Sequence, residues 1–447
     1  MALTGIQIFK LLPKTNCGEC GVPTCLAFAM NLASGKAELA SCPYVSEEAK
    51  AQLAEASAPP IRPLTIGAGD HAIKTGGETV LFRHEKTFFN PTGFGALVTS
   101  DMGEDVVSAK LKKWDTYQYE RVGLNLRPEL VAVKDMAGDG AKFKKVVKQV
   151  FDTSNFSLIL MSEKPEVLKE GLSACPGGKP LLYAATKDNW QAMADLAKEA
   201  NCPLAVKGDG LAGLIALTDN LTKAGLKDLV LDSGARGIKQ VFEDQIAIRR
   251  AALSGKEKGL GFPTICLPFE MAKDLEMETL MGAVMVAKYG GLVVFSDFEG
   301  ESIFPLLLER LNIYTDPQRP MTVTQGIYEI NGPDENSPVC VTSNFSLTYF
   351  IVSGEIESSR VPTWLCIMDT EGLSVMTAWA AGKFVGDAVG IFIKKSGIAD
   401  KVKHRNLIIP GYAASIAGDL EEELPGWSIK VGPREAAHIP KFLRELK

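Results

Sequence analysis

Eight short apolar, β-prone runs recur through the middle of this 447-residue chain, and their spacing constrains the fold more than any other feature. They are ALVTS at 96, ELVAVK at 129, SLILMS at 157, PLLYAAT at 180, PLAVKG at 203, DLVLDSG at 228, FPTICLP at 262 and GLVVFSD at 291. Their starts lie about 23 to 35 residues apart, and amphipathic stretches such as PEVLKEGLSA (165–174) and NWQAMADLAKEA (189–200) separate most of them. Repeated βα units require that spacing. Eight in succession predict a closed (β/α)8 TIM barrel over residues 93–311, with an open doubly wound sheet as the competing arrangement.

Composition breaks set off the flanks. In AKAQLAEASAPPIRPLTIG a short alanine-rich helix gives way to Pro59, Pro60 and Pro63, which cannot continue it and favour an extended spacer. Residues 1–57 thus read as a separate module and 58–92 as a linker leading into the barrel. Prolines, Asp and Asn mark a second linker over 312–336. From 337 to 447 the runs PVCVTSN, PTWLCIMD, NLIIPG and WSIKVGP predict a small Rossmann-like α/β layer domain, with helical SVMTAWAAGKFVGDAVGIFIKKSG and REAAHIPKFLREL after the second and fourth.

With 48 basic against 54 acidic residues and no basic block, nucleic acid is not an expected partner. No apolar run approaches a membrane span and the start lacks a signal-peptide pattern, so a cytoplasmic location is expected. Thiols stay reduced there, and clustered cysteines hold metal more readily than they form disulfides. Cys175, Cys202, Cys266, Cys340 and Cys366 are scattered and read as small core residues.

Cys17, Cys20, Cys25 and Cys42 are the exception, in the pattern C-x2-C-x4-C-x16-C. Gly18 and Gly21 allow a tight loop on which three thiolates converge, and Pro23 and Gly35 bracket a helix predicted to carry Leu26, Met30 and Ala33 beneath the site. Structural zinc takes two close cysteine pairs, whereas three bunched cysteines and a remote fourth followed by Pro43 favour a 4Fe-4S cluster. Such a cluster either staples a small module or transfers electrons, and the proline-rich tether favours transfer.

Ligands of open α/β sheets bind at the carboxyl ends of the strands. In the C-terminal domain those ends lead into Thr342-Ser343-Asn344-Phe345-Ser346, Thr370-Glu371-Gly372-Leu373-Ser374, Pro410-Gly411-Tyr412-Ala413-Ala414-Ser415 and Gly432-Pro433-Arg434-Glu435. Convergent small and hydroxylic loops suit a large ligand carrying amides and a phosphate, yet the same residues fill any strand-to-helix loop, and composition alone leaves both readings open. GDGLAG (208–213) matches a dinucleotide fingerprint weakly, inside the fifth unit of the barrel. His71, His84, His404 and His438 form neither a metal pair nor a triad, and His404 reads as a solvated loop residue.

The segments NCGECGVPTCLAFAMNLASGKAELASCPY, ENSPVCVTSNFSLTYF, DTEGLSVMTAWA and VGPREAA together make the chain resemble the family of corrinoid iron-sulfur protein large subunits, methyl carriers of the reductive acetyl-CoA (Wood-Ljungdahl) pathway. The resemblance runs nearly end to end. It implies a 4Fe-4S domain, a TIM barrel and a C-terminal corrinoid-binding domain, paired as a heterodimer with a smaller barrel subunit. Cluster ligands would be Cys17, Cys20, Cys25 and Cys42. Corrinoid contacts would be Thr342, Asn344, Ser346, Leu347, Thr370, Glu371, Gly372, Leu373, Ser374, Gly411, Ala413, Ala414, Pro433, Arg434 and Glu435. The implied cycle moves a methyl group on cobalt from methyltetrahydrofolate, presented by a separate methyltransferase, to acetyl-CoA synthase. The cluster, fed by a low-potential donor such as ferredoxin, restores Co(I). No Asp-x-His-x-x-Gly segment is present to place a histidine on cobalt. Two rival readings stand beside this one. In the first, the barrel is a pterin-binding methyltransferase using Asp232 and Asp297. In the second, the chain is an electron-transfer subunit whose C-terminal domain binds a flavin or a partner.

Overall fold

The structure, a computed structural model, describes residues 5–33, 37, 39–46, 48–50, 53, 59–121, 123–255, 257–316 and 320–446. The expected helix end at Gly35 and parts of both expected linkers lie outside the described residues. The chain forms two compact units, Met1–Gln118 with Arg127–Tyr314 and Tyr119–Leu126 with Thr315–Lys447.

The first unit begins with α1 (Gly5–Leu11) and α2 (Cys25–Ala33), followed by β1 (Leu64–Ile66), β2 (Ile73–Thr75), β3 (Gly93–Thr99) and α3 (Glu104–Asp115). A short hairpin, β4 (Tyr119–Arg121) and β5 (Leu124–Leu126), comes next and belongs to the second unit. The first unit resumes with β6 (Leu130–Lys134), α4 (Gly140–Thr153), β7 (Ser157–Met161), α5 (Pro165–Ala174), β8 (Leu181–Ala185) and α6 (Trp190–Ala200). It continues through β9 (Leu204–Lys207), α7 (Gly210–Lys223), β10 (Leu229–Asp232) and α8 (Ile238–Ser254). It ends with β11 (Ile265–Cys266), α9 (Leu275–Ala287), β12 (Leu292–Phe295) and α10 (Gly300–Ile313).

Each of the eight apolar runs supplies one strand of a parallel sheet in the order β10-β9-β8-β7-β6-β3-β12-β11. Leu231 of β10 donates its backbone N–H to the Pro263 carbonyl at 2.8 Å and bridges Thr264 in parallel, closing the ring. The barrel therefore replaces the open sheet. Its strands read as unbroken apolar runs because both faces are covered; all of Ser157–Met161 and Leu181–Ala185 is buried. The outer helices are one-sided. In α4 the residues Phe143, Val146, Val147 and Val150 face inward at helical spacing, and the Asp139 carboxylate caps the start by accepting from Ala141 and Lys142.

Residues 59–92 are not a spacer. β1 and β2 pair as an antiparallel hairpin, and Leu64 and Ile66 pack with Leu130, Leu181 and Leu292, the first core residues of three barrel strands, so the hairpin plugs the barrel's amino end. Around it Arg62 N–H donates to Gly261 O at 2.9 Å and the buried Arg249 guanidinium pairs with Glu78 at 3.4 Å, stacked over the Tyr289 ring. The point at which the alanine-rich helix was expected to end lies outside the described residues; from Pro59 onward, burial of Leu64 and Ile66 outweighs extension.

The second unit, after the β4–β5 hairpin, comprises β13 (Gly326–Ile330), β14 (Val339–Ser343), α11 (Ser346–Ser359), β15 (Thr363–Met368), α12 (Val375–Ala380), α13 (Gly386–Ser396) and α14 (Ile398–Lys401). It finishes with β16 (Asn406–Ile409), α15 (Ala417–Glu423), β17 (Ser428–Val431) and α16 (Ile439–Glu445). Its open sheet runs β13-β15-β14-β16-β17, parallel except for the antiparallel edge strand β13. Helices cover both faces: one core holds Val375, Phe384, Val389 and Leu420, the other Ile356 and Leu443.

Three stretches depart from the expectation. β13 lies within residues assigned to a linker and pairs fully with β15. The long helical stretch after residue 374 divides, because Gly382 at φ +70° turns the chain between α12 and α13. The β4–β5 hairpin falls within the range expected to be barrel but packs in the second unit, where Arg121 stacks 4.2 Å over the Phe350 ring.

Candidate functional site

Three of the four N-terminal cysteines belong to one apolar cluster. Cys25 and Cys42 are buried with Phe28, Ala29 and Val45, Cys20 packs against the same cluster, and Cys17 is exposed. Backbone with positive φ at Asn16, Gly18 and Gly21 curls the loop, and Asn16 Oδ1 accepts from Cys25 N–H at 2.8 Å, fastening it to the start of α2. Tyr44 O–H donates to Glu19 at 2.7 Å, which returns the Cys42 segment to the Cys17–Cys20 loop. Burial of α2 differs from the expectation. Leu26 and Met30 are 45% and 55% exposed and Ala33 faces solvent, while Phe28 and Ala29, one position round the helix, turn inward with Cys25. Among the described residues no three Cys, His, Asp or Glu groups stand at metal-holding distance of one another. The donor chemistry is nonetheless thiol only, partly shielded by an apolar core, which suits an iron-sulfur cluster.

In the second unit a cleft of ≈ 990 Å³, open to solvent, lies at the carboxyl ends of β14 and β16 and runs back between the sheet and helices α11 and α16. Each of the four predicted loops reaches it: Thr342, Ser374, Pro410 with Tyr412, and Gly432 to Arg434 line it. Gly411 permits the close approach of two of them, since a Cβ there would stand 2.6 Å from Arg434 N and Gly432 O. Deeper, Ile351, Val352, Ile356, Ile439, Phe442 and Leu443 make the walls apolar. Thr342 Oγ1 is buried at this cleft without a hydrogen-bond partner, and the adjacent Ser343 Oγ is likewise unpartnered. A buried hydroxyl left unpaired costs about 1–3 kcal/mol, so such groups mark a place completed from outside.

The remaining predicted contacts divide. Leu347 is 57% exposed on α11, Ala414 is exposed, and Glu371 pairs outward with Lys383. Glu435 accepts from Tyr412 O–H at 2.9 Å. Ala413 is turned into the core and Leu373 packs against it. Ser346 N–H donates to Met321 O, and Gly372 presses against Pro320 and Thr322, where a Cβ would clash at 2.7 Å. Asn344 and Thr370 are buried and bonded to each other. His404 is more than a solvated residue: its Nε2 lies 2.9 Å from Ser337 O and its Nδ1 accepts from Asn406 N–H.

The carboxyl end of the barrel is different. Asp232 accepts from Tyr183 O–H at 2.6 Å, Gly234 N–H at 2.8 Å and two Arg236 nitrogens at 2.9 and 3.1 Å. Asp297 accepts from Lys110 Nζ, Trp114 Nε1 and Phe298 N–H. Arg236 and Lys134 also hold Glu270; burial opposes its ionisation, but these two cations outweigh it and keep the carboxyl below its usual range. Both carboxylates considered for a pterin are thus occupied from within. GDGLAG supplies the turn into α7, with Gly210 at φ +71°. Four of the scattered thiols, Cys175, Cys202, Cys266 and Cys366, are core residues as expected; burial pushes Cys175 and Cys266 to about 12 and Cys202 to about 11. Cys340 is only half-buried and lines the cleft.

A family model for the CO dehydrogenase/acetyl-CoA synthase delta subunit matches residues 63–443, and an Fe-S cluster model matches residues 12–44. The corrinoid/iron-sulfur protein large subunit of Moorella thermoacetica is 47% identical over 99% of both chains. The chain belongs to this family. Acetyl-CoA decarbonylase/synthase complex gamma subunits are also members: that of Methanopyrus kandleri is 37% identical over 99% of this chain and 98% of its own, and gamma 2 of Methanosarcina thermophila 38% over 98% of each. A Yersinia pestis dihydropteroate synthase covers 50% of this chain and 93% of its own at 10% identity and TM-score 0.39, too distant to carry an argument.

The loops legible in the sequence form the mouth of this C-terminal cleft, and its walls were missed. Those residues sit on α11 and α16 as ordinary apolar helix positions, and the available sign was surplus: Leu347 and Ile351, one turn apart, stay exposed when α11 is folded.

Proposed function

We propose that the chain carries a methyl group on a corrinoid held by its C-terminal unit, as the large subunit of a corrinoid iron-sulfur protein. In this reading it accepts the methyl of methyltetrahydrofolate through a separate methyltransferase and delivers it to acetyl-CoA synthase. It works in the cytoplasm with a smaller barrel subunit and a low-potential donor such as ferredoxin. The unpartnered Thr342 hydroxyl in a large apolar cleft carries this reading, because the folded protein leaves there both a polar and an apolar requirement unmet.

When bound, the corrinoid supplies a cobalt nucleophile for methyl transfer, and the 4Fe-4S cluster supplies the electron that restores it. The protein's part is binding and access. Thr342, Ser374 and the main chain around Gly411 and Arg434 would hold the corrinoid's amides and phosphate, while Ile351, Val352 and Phe442 would exclude water around the flat base of its nucleotide tail. No histidine is assigned to cobalt. Cys17, Cys20, Cys25 and Cys42 would ligate the cluster.

Anaerobically purified protein should show corrinoid absorption with stoichiometric cobalt, together with iron at the 4Fe-4S ratio. Flavin absorption, or zinc in place of iron, overturns the assignment. Cys20→Ala should retain cobalt and methyl transfer from pre-reduced protein while abolishing reductive reactivation; equal loss of both would sink the division of labour.

A further inference from the structure

We infer that Asn344 is a positioning residue for corrinoid binding, acting through the loop Asp369–Ser374 and not by touching the ligand; the inference rests on the corrinoid reading above. Its side chain is 4% exposed. Oδ1 accepts from two backbone donors, Thr370 N–H at 3.0 Å and Gly372 N–H at 3.1 Å, and lies 3.0 Å from Thr370 Oγ1, whose single proton also has Leu373 O within reach at 2.8 Å. Nδ2 donates to Asp369 Oδ1 at 2.8 Å, and that carboxylate also accepts from Glu371 N–H at 2.9 Å. One amide thus grips the loop from both of its ends.

The loop needs holding. Glu371 and Gly372 are successive residues in the left-handed region, at φ +56° and +76°, a conformation that disfavours glutamate. Thr370 and Ser374 flank this pair, and Ser374 lines the cleft. Asn344's own carbonyl accepts from Val323 N–H at 2.9 Å, and Gln325 Oε1 accepts from Asp369 N–H at 3.0 Å, so residues 323–325 are bonded to both sides of the same junction.

Only an amide meets these demands. Leucine would strand the Thr370 and Gly372 N–H groups in the interior. Aspartate has the same shape and accepts the same two N–H donors, but it cannot donate to Asp369 and sets two carboxylates against each other. The other charges near this pair are Glu371 and its partner Lys383. The segment 320–325, residues 345–348 and residues 373–377 bring no titratable group.

Full-length wild type, Asn344→Asp and the exchange Asn344→Asp/Asp369→Asn separate the possibilities, using absorbance titration with hydroxocobalamin and amide hydrogen exchange at Thr370 and Gly372 without cofactor. Asn344→Asp should bind about tenfold more weakly at mildly alkaline pH, with faster exchange at both amides, and should recover as pH falls and the carboxylates share a proton. The exchange variant restores a donor at 369 and should regain affinity and protection at every pH. Wild-type affinity in Asn344→Asp, or a loss that neither acid nor the exchange repairs, overturns the proposal. Wild type that binds no hydroxocobalamin overturns the corrinoid reading itself and this inference with it.

Discussion

The parallel barrel and the mostly parallel C-terminal sheet of this protein end in opposite ways. At the carboxyl end of the barrel, Asp232, Asp297 and Glu270 find their cations and hydroxyls within the chain. At the carboxyl end of the C-terminal sheet, Thr342 and Ser343 are buried without partners beside a large apolar cleft. A barrel mouth is the ordinary place for chemistry, yet these three carboxylates already have their partners. The contrast teaches that a ligand site is recognised by what folding leaves unsatisfied, more than by which fold presents it.

The sharpest way to break this contrast is to open the barrel network. Arg236→Ala leaves the buried Asp232 carboxylate without its cation and should cost about 3 kcal/mol of stability, read as a lower melting temperature, with corrinoid content unchanged. Loss of methyltetrahydrofolate binding by that variant would instead make the barrel a pterin site.

Thr342→Val should act in the reverse sense. It removes an unpaired hydroxyl, so the cofactor-free chain should melt no lower than wild type, while corrinoid affinity falls about five- to tenfold for one lost hydrogen bond of about 1 kcal/mol. Equal affinity would mean that the hydroxyl does not face the ligand.

The smallest effect concerns pH. Glu270 is held below its unfolded value of about 4.3, so its contribution is present above that pH and is lost as pH falls through the lower folded value. Glu270→Gln should therefore be slightly less stable than wild type at neutral pH, by under about 1 kcal/mol, and the difference should close below about pH 4 in acid-denaturation curves.

Much of this was legible in the residues. Strands buried on both faces announce themselves as unbroken apolar runs, which is why all eight barrel strands were found. The four loops of the C-terminal sheet were equally visible, since strand ends and small residues coincide there. What sequence could not convey was who bonds to whom. Asn344 has the composition of a ligand contact, and only its distances to Thr370 and Gly372 reveal an amide already occupied. In α2, Leu26 and Phe28 are equally apolar; which of them faces inward depends on where the Cys25 and Cys42 segments close, information held far from the helix itself. Prolines at 59, 60 and 63 read as a spacer because nothing local tells that Leu64 and Ile66 will plug a barrel.

The β4–β5 hairpin has a practical corollary. Its eight residues, Tyr119–Leu126, are encoded inside the barrel yet complete the other unit, with Arg121 stacked on Phe350. A gene fragment starting at Thr315 would therefore express a domain missing one of its own parts. Any recombination that exchanged the C-terminal half alone would mate the incoming domain with a foreign hairpin, so the hairpin and the sheet it serves must be inherited together.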